Sequence, residues 1–404
     1  MTSPRDALLT GTSSPLDTYC YRILVLFGTR PEAIKLCPLI AELRKIPRLQ
    51  PVVCVTGQHR EMLDQVLAAF HVVPDYDLRL MQSGQTLPQL TARLMTAIEP
   101  VIAQVQPAMI VVQGDTTTTL CGALSGFYAR VVVAHVEAGL RTFDFDAPFP
   151  EEMNRVATSR LAALHFAATE WAASNLAREG VPPETIAITG NTGIDAVLSI
   201  RDALRDGRLT SPPLPLIDGK RVIVITAHRR ESFGEGLIRI CHAIRELASR
   251  SDVQVVWPVH PNPQVRETVR SFFGADSAVL FLDPLDYVSF VDLVARSYLV
   301  ITDSGGVQEE GPSLGKPILV LRDKTERPEA VRAGTVRLVG TDVQKIVSAA
   351  TSLLDDADAY DRMARIHNPY GDGQASARIS ERIAAHCCAI AANGTRQSQI
   401  FPRT

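Results

Sequence analysis

The sequence predicts two α/β domains, each built on a doubly wound parallel sheet. Three observations lead there. At 404 residues the chain is longer than one ordinary hydrophobic core supports, so two domains are the default. Its first half alternates short β-branched runs with helical stretches, the pattern of parallel strands joined by crossover helices. The alternation then breaks at residues 207–220 (GRLTSPPLPLIDGK), a Pro- and Gly-rich stretch that reads as a loop or linker, and restarts.

Taken in order, strands are expected at 21–27 (YRILVLF), 50–56, 108–113 (AMIVVQ) and 131–136 (VVVAHV). Helices are expected at 31–45, 60–70 and from about 117 to 128. After the break come a strand at 221–226 (RVIVIT), a helix at 237–249, strands at 254–258, 279–282, 299–302 and 317–321, and a last helix near 376–392. Open parallel sheets bind ligands at the carboxyl ends of their strands, and two such edges facing each other would enclose a cleft.

Composition excludes several classes. Lys and Arg number 41 against 44 Asp and Glu, a formal charge of −3, which argues against a dedicated nucleic-acid binder but not against a small anionic ligand. No apolar run approaches the roughly 18 residues that cross a bilayer. Residues 1–20 lack the apolar core of a secretory signal and read as a poorly ordered extension. The seven cysteines (Cys20, Cys37, Cys54, Cys121, Cys241, Cys387, Cys388) form no CxxC pair and no cluster with histidine. They suggest small buried residues in a reducing cytoplasm rather than a disulfide framework or zinc site.

Five strand-end motifs carry the chemistry. Gly28-Thr29-Arg30-Pro31-Glu32-Ala33-Ile34-Lys35 follows the first strand; free amides at the helix start, with Arg30 and Lys35, favour an anion, while the plainer reading is a strand–turn–helix junction with solvated charges. Gln113-Gly114-Asp115-Thr116 puts a carboxylate at a strand end before a threonine run, where Asp115 serves either chemistry or as a helix cap. His135-Val136-Glu137-Ala138-Gly139-Leu140-Arg141 and Pro150-Glu151-Glu152-Met153-Asn154-Arg155 form the richest segment. Glu137 is expected partly buried at a sheet edge, with a carboxyl raised by burial. Glu151 and Arg155 share a helical face, as reacting groups or as a surface ion pair, while Glu152 faces away from them. His228-Arg229-Arg230 after the strand 221–226 suits a diphosphate. Thr302-Asp303-Ser304-Gly305-Gly306 forms a phosphate nest at a helix start, and a carboxylate one turn on could accept ribose hydroxyls. Neither the dinucleotide fingerprint G-x-G-x-x-G nor a Walker motif follows a strand here, which lowers the case for NAD enzymes and P-loop NTPases.

FGTRPEAIK, QGDTTTTL, HVEAGLRT, PEEMNR, HRRESFG, PVHPNP, TDSGGVQEE, RDKTERPEA and HNPYGDG stand in one order along most of the chain. In this the sequence resembles the non-hydrolysing UDP-N-acetylglucosamine 2-epimerases of bacteria. The resemblance implies a glycosyltransferase-B-like fold: a Rossmann-like domain over 21–190, joined by a C-terminal helix at about 376–395, and a UDP-binding Rossmann-like domain over 191–375. It implies a cytoplasmic homodimer that interconverts UDP-GlcNAc and UDP-ManNAc for surface polysaccharide, through elimination of UDP and a 2-acetamidoglucal intermediate, with no redox cofactor or metal. Asp115, Glu137 and Glu151 become the acid/base candidates, with Arg155 and His228 orienting them or stabilising the departing UDP. Arg30, Lys35, Ser304, Gly305, Gly306 and Arg327 would hold the phosphates and sugar, Glu310 the ribose, and Phe290 the uracil. A regulatory UDP-GlcNAc site is implied at Gln58, Glu61, Arg229 or Arg230, and His260.

Rival readings remain open at this stage: an epimerase of a modified UDP-sugar, a hydrolysing relative that releases ManNAc, a glycosyltransferase of the same fold, or a non-catalytic nucleotide-sugar sensor. Three carboxylates in first-domain strand-end loops favour the epimerase.

Overall fold

The computed structural model describes residues 20–57, 60–82, 84–229, 233–274 and 277–392, the side chains of Arg60, Glu61, Ile390, Ala391 and Ala392 excepted. The N-terminal extension, Cys20 apart, lies outside the described residues, as do Gln58 and Arg230.

The chain forms two parallel sheets. The first contains β1 (Tyr21–Phe27), β2 (Leu49–Val55), β3 (Tyr76–Asp77), β4 (Met109–Gln113), β5 (Val132–Ala138), β6 (Leu164–Ala167) and β7 (Ile186–Ile188), in the order β3-β2-β1-β4-β5-β6-β7. The second contains β8 (Arg221–Thr226), β9 (Val253–Pro258), β10 (Val279–Leu282), β11 (Leu299–Thr302), β12 (Ile318–Val320) and β13 (Val336–Leu338), in the order β10-β9-β8-β11-β12-β13. Strand order reverses between β1 and β4 in one sheet and between β8 and β11 in the other. Those reversals are the topological switch points where such sheets open a crevice.

The apolar runs of the strands follow from burial on both faces. Ile23, Val25 and Phe27 of β1 pack with Leu36, Leu39 and Leu43 of the helix Arg30–Lys45. Leu24 and Leu26 turn the other way, onto Leu94, Ile98 and Ile102 of the helix Leu87–Val105. In the second sheet Ile223 and Ile225 meet Leu237, Ile240 and Ile244, while Val222 and Val224 meet Leu293 and Val307. A strand covered by helices on both sides needs no polar face, which is why period-2 alternation is missing from the sequence. Each such Leu or Ile contributes about 1.5–3 kcal/mol by leaving water.

Two chain crossings fasten the halves. The helix Thr192–Arg205 packs on the helix Arg30–Lys45 of the first half and on the helix Tyr287–Arg296 of the second. On the return, Asn191 N–H donates to the Tyr370 carbonyl (2.7 Å), and the Asp195 carboxylate accepts from the amides of Ala375 (3.2 Å) and Ser376 (2.7 Å). These bonds seat the start of the helix Ala375–Ala392, whose Ile379 and Ile383 enter the core of the first sheet. The result is the glycosyltransferase-B-like arrangement of two Rossmann-like sheets. Cys37, Cys54, Cys121 and Cys241 are buried free thiols, each pushed up to about 12 by burial. No helix among the described residues is long and apolar enough to cross a membrane.

Candidate active site

The first wall of the crevice is organised by a residue that the motif reading passed over. Thr29 caps the helix Arg30–Lys45 in a capping box with Glu32, and Pro31 fills the first turn. The buried Glu32 carboxylate accepts from Gly28 N (3.1 Å), Thr29 N (2.8 Å), Thr116 Oγ1 (2.8 Å) and Thr119 Oγ1 (3.4 Å). Burial pushes its carboxyl up and these bonds pull against it. Glu32 thus ties the turn after β1 to the turn after β4. The signal for it was present as Thr29-x-x-Glu32.

In the second of those turns Thr116, not Asp115, caps the following helix, accepting from Thr119 N at 3.1 Å. Asp115 is left free for other work. Its Oδ2 lies 2.9 Å from Arg155 Nη2, and its carbonyl accepts from Asn154 Nδ2 at 2.9 Å. Burial pushes the Asp115 carboxyl up to about 6; Arg155 and Lys35 pull it down, and the charges of Glu137 and Glu151 push it further up.

Glu137 stands on a β-bulge between Val136 and Ala138 with φ +62°, in the left-handed region. Such a backbone costs about 1–3 kcal/mol in a non-glycine residue and re-aims the side chain out of the sheet's alternation. The carboxylate is partly buried, as expected, but it has acquired a countercharge. Lys35 Nζ donates to both oxygens, at 2.7 and 2.6 Å, and Gln113 Nε2 donates to Oε2 as well. The ammonium expected among the phosphate ligands is therefore engaged by a carboxylate of its own domain.

The helix Glu151–Leu161 corrects two expectations. Spacing suggested a Glu151–Arg155 pair with Glu152 turned away. Instead Arg155, which is buried, pairs with Asp115 and lies 3.5 Å from Glu152. Glu152 points inward and accepts from the amides of Thr142 (3.0 Å) and Phe143 (2.9 Å), pinning the preceding loop. The half-buried Glu151 lies close enough for its charge to act on Asp115.

The second wall gathers around the β8/β11 switch point. His228 Nδ1 lies 3.0 Å from Oδ1 of the fully buried Asp303, and the His228 ring stacks on His260 with centroids 5.3 Å apart. Ser304 stands at the N-cap position of the short helix Gly305–Glu310 without a side-chain cap bond. A Cβ on Gly305 would sit 3.5 Å from the Arg327 guanidinium carbon and 3.7 Å from Arg229 Nη2, so two guanidiniums converge on this glycine. Gly306 lies beside them with Glu310 and Ser304 as its neighbours. Arg327 Nε donates to Glu309 at 2.7 Å, and Glu309 also accepts from Asn191 Nδ2 at 2.9 Å. Glu310 is pushed up to about 8 by burial and by the charge of Glu309, with Lys35, Arg30 and the Tyr287 hydroxyl pulling the other way. Phe290 and Glu310 line one small buried cavity with Val307 and Leu314. Arg30 lies 3.7 Å from Met62 Sδ, and its charge acts on Glu310, Tyr287 and His260 of the opposite half.

The walls meet at a cavity of about 20 Å³ lined by Glu137, Leu140 and Thr169 from one side and by Glu309, Arg327 and Glu329 from the other. Asp115, Glu137, Arg155 and Lys35 therefore form one charged cluster, and His228, Arg229, Arg327 and the Ser304–Gly306 turn another. Of the residues proposed for regulation, Gln58, Arg230 and the Glu61 side chain lie outside the described residues. Arg229 and His260 stand in the second wall, beside Gly305 and against His228 respectively. Motif reading missed Glu309, Asp303 and Gln113 as partners. Each lies inside a quoted motif, but nothing local distinguishes a buried partner from a reacting group.

The chain matches the family model for UDP-N-acetylglucosamine 2-epimerase over residues 41–384. It is 53% identical over 368 residues to the UDP-N-acetylglucosamine 2-epimerase of Escherichia coli O157:H7, covering 90% of this chain and 98% of that one. Its fold is similar to the UDP-GlcNAc 2-epimerase of Neisseria meningitidis bound to UDP-GlcNAc (TM-score 0.84, 45% identity, 90% of this chain and 100% of the other). It is also similar to the Methanocaldococcus jannaschii enzyme in complex with UDP-GlcNAc and UDP (TM-score 0.72, 32% identity, 90% and 99%). With its two-walled crevice, its paired carboxylates and these matches along nearly its whole length, the chain belongs to the UDP-N-acetylglucosamine 2-epimerase family.

Proposed function

We propose that this chain is a non-hydrolysing epimerase that interconverts UDP-GlcNAc and UDP-ManNAc. The observation that carries the reading is the division of charge across the crevice: proton-transfer carboxylates stand on one wall, guanidiniums and an imidazole on the other. The C2 hydrogen of the sugar is not α to a carbonyl, so it becomes acidic only as the C1–O bond to UDP weakens. One carboxylate takes the C2 proton, the C–H pair becomes the C1=C2 bond of 2-acetamidoglucal, and the C1–O pair leaves with UDP. Protonation of C2 from the opposite face, with a UDP oxygen returning to C1, gives the epimer. The two proton-transfer groups come from among Asp115, Glu137 and Glu151. Arg155 orients Asp115. His228, with Arg30, Arg229, Arg327 and the Ser304–Gly306 amides, stabilises the charge that builds on the diphosphate. Glu310 takes the ribose hydroxyls and Phe290 packs near the uracil. We place the enzyme in the cytoplasm as a homodimer, supplying ManNAc units for surface polysaccharide.

Proton and phosphorus NMR of a reaction begun with UDP-GlcNAc tests this. The expected product is UDP-ManNAc with its diphosphate ester intact. Accumulation of free ManNAc and UDP would assign the chain to the hydrolysing reaction instead, and an unchanged UDP-GlcNAc spectrum would overturn the reading.

A further inference from the structure

We infer that Asp303 is the positioning residue of His228, fixing the proton on Nδ1 so that Nε2 is the nitrogen offered to the crevice. The inference rests on the placement of His228 at the departing UDP. Asp303 directly follows β11 and has no exposed surface. Its Oδ2 accepts from the backbone N–H of His228 and of Arg229, both at 2.7 Å, and its Oδ1 lies 3.0 Å from His228 Nδ1. A buried carboxylate is tolerated only when its oxygens face donors. The two amides meet Oδ2, while Oδ1 has no aligned hydrogen bond among the described residues and faces His228 Nδ1 as a close contact at 3.0 Å, the one group placed to serve it by a small turn of the ring. Burial would raise the carboxyl; the imidazole and the two amides outweigh it and hold Asp303 below the usual carboxylate range. An ionised carboxylate only accepts, so the nitrogen facing it must carry the hydrogen. The ring's other edge is left for the crevice, consistent with a His228 side chain that is 33% exposed. The charged and titratable groups around the pair are His260, stacked on the ring, Arg229 beside it, and Arg30, whose charge reaches His260 from the opposite wall. Arg229 and Arg30 carry no acceptor, and His260 Nδ1 already accepts from the Asn262 N–H at 3.2 Å.

A purely structural Asp303 would do no more than close the turn at residues 227–229 through its two amide bonds. Asp303→Asn separates the two roles. The asparagine Oδ1 keeps both amide bonds, while its Nδ2 donates to His228 Nδ1 and moves the ring hydrogen to Nε2. The expected result is a kcat lower by about 10²–10⁴-fold, as for a catalytic histidine held in the wrong tautomer, with UDP affinity within about threefold of wild type. In the His228→Asn background the same change should add almost nothing. ¹⁵N spectra, with the His228 signals assigned by their loss in His228→Asn, should show Nδ1–H in the wild type and Nε2–H in Asp303→Asn. Wild-type turnover in Asp303→Asn, losses that multiply in the double variant, or an Nε2–H wild-type ring would each overturn the inference. If no variant and no wild type turned over UDP-GlcNAc, the epimerase reading would fall, and the spectra would still decide the tautomer.

Discussion

On the first wall of the crevice the strand-end groups are carboxylates held by cations: Asp115 by Arg155 and Glu137 by Lys35. On the second they are basic groups held by carboxylates: His228 by Asp303 and Arg327 by Glu309. The two sheets have the same winding and gather these pairs around the carboxyl ends of their strands, yet the arrangement is inverted. In each pair one member sets the other's orientation and charge. The difference teaches how one fold, used twice, gathers carboxylates on one side and basic groups on the other, which under the proposed function transfer protons and stabilise an anion. A near-neutral total charge conceals it entirely.

The comparison breaks most visibly if the walls do not divide the labour. Asp115→Asn, Glu137→Gln and Glu151→Gln should each lower kcat by about 10²–10⁴-fold while UDP, measured by calorimetry, binds within a few-fold of wild type. A variant with wild-type turnover would remove its residue from the first wall's chemistry. On the second wall Arg327→Met should do the reverse in part, weakening UDP binding. It also leaves Glu309 buried without its cation, at a cost of about 3–5 kcal/mol seen in thermal or urea unfolding. Adding Glu309→Gln should return much of the stability but not the UDP affinity.

A smaller effect sharpens the electrostatics of the first wall. With the Asp115 carboxyl at about 6 against an ordinary 3.8, kcat/KM should fall about tenfold per pH unit below that value if the residue works ionised. That limb should be absent from the residual activity of Asp115→Asn. The linkage has a definite sign. A carboxyl raised in the fold favours the folded state fully below its unfolded value and loses that contribution as pH rises through about 6. The Tm difference between wild type and Asp115→Asn should therefore move against the wild type between pH 4 and 7. The smallest effect belongs to the second wall. Glu310, at about 8, is largely protonated at neutral pH. Accepting two ribose hydroxyls favours its ionised form, so UDP binding should release protons near pH 7, as read by calorimetry in buffers of different ionisation enthalpy. Glu310→Gln should reduce that release.

Much of this was legible in the sequence, and the exceptions share one cause. Strands such as 21–27, 221–226, 279–282 and 299–302 were read at their observed bounds because apolar β-branched runs flanked by Gly and polar turns are local signals. The strands Leu164–Ala167, Ile186–Ile188 and Val336–Leu338 were not: LHFA at 164–167 holds no β-branched residue, and three residues are too few to show a run. Asp115 and Glu137 were found because a carboxylate at a strand end is a positional signal. The partnership of Lys35 with Glu137, 102 residues apart, was not, and neither was the inward turn of Glu152, which depends on the loop after β5 docking against the helix Glu151–Leu161. Helical spacing puts Glu151 and Arg155 on one face; a nearer acceptor, Asp115, captures the arginine. The bulge that gives Glu137 its φ of +62° leaves no trace in the apolar pattern around it.

The most direct measurement is to incubate the protein with UDP-GlcNAc in D₂O and follow C2 by NMR. Proton removal from C2 and return from the opposite face predict UDP-ManNAc carrying deuterium at C2, with deuterium entering the recovered UDP-GlcNAc as equilibrium is approached. UDP-ManNAc that retains the original C2 hydrogen, or a substrate that neither exchanges nor epimerises, would contradict the account.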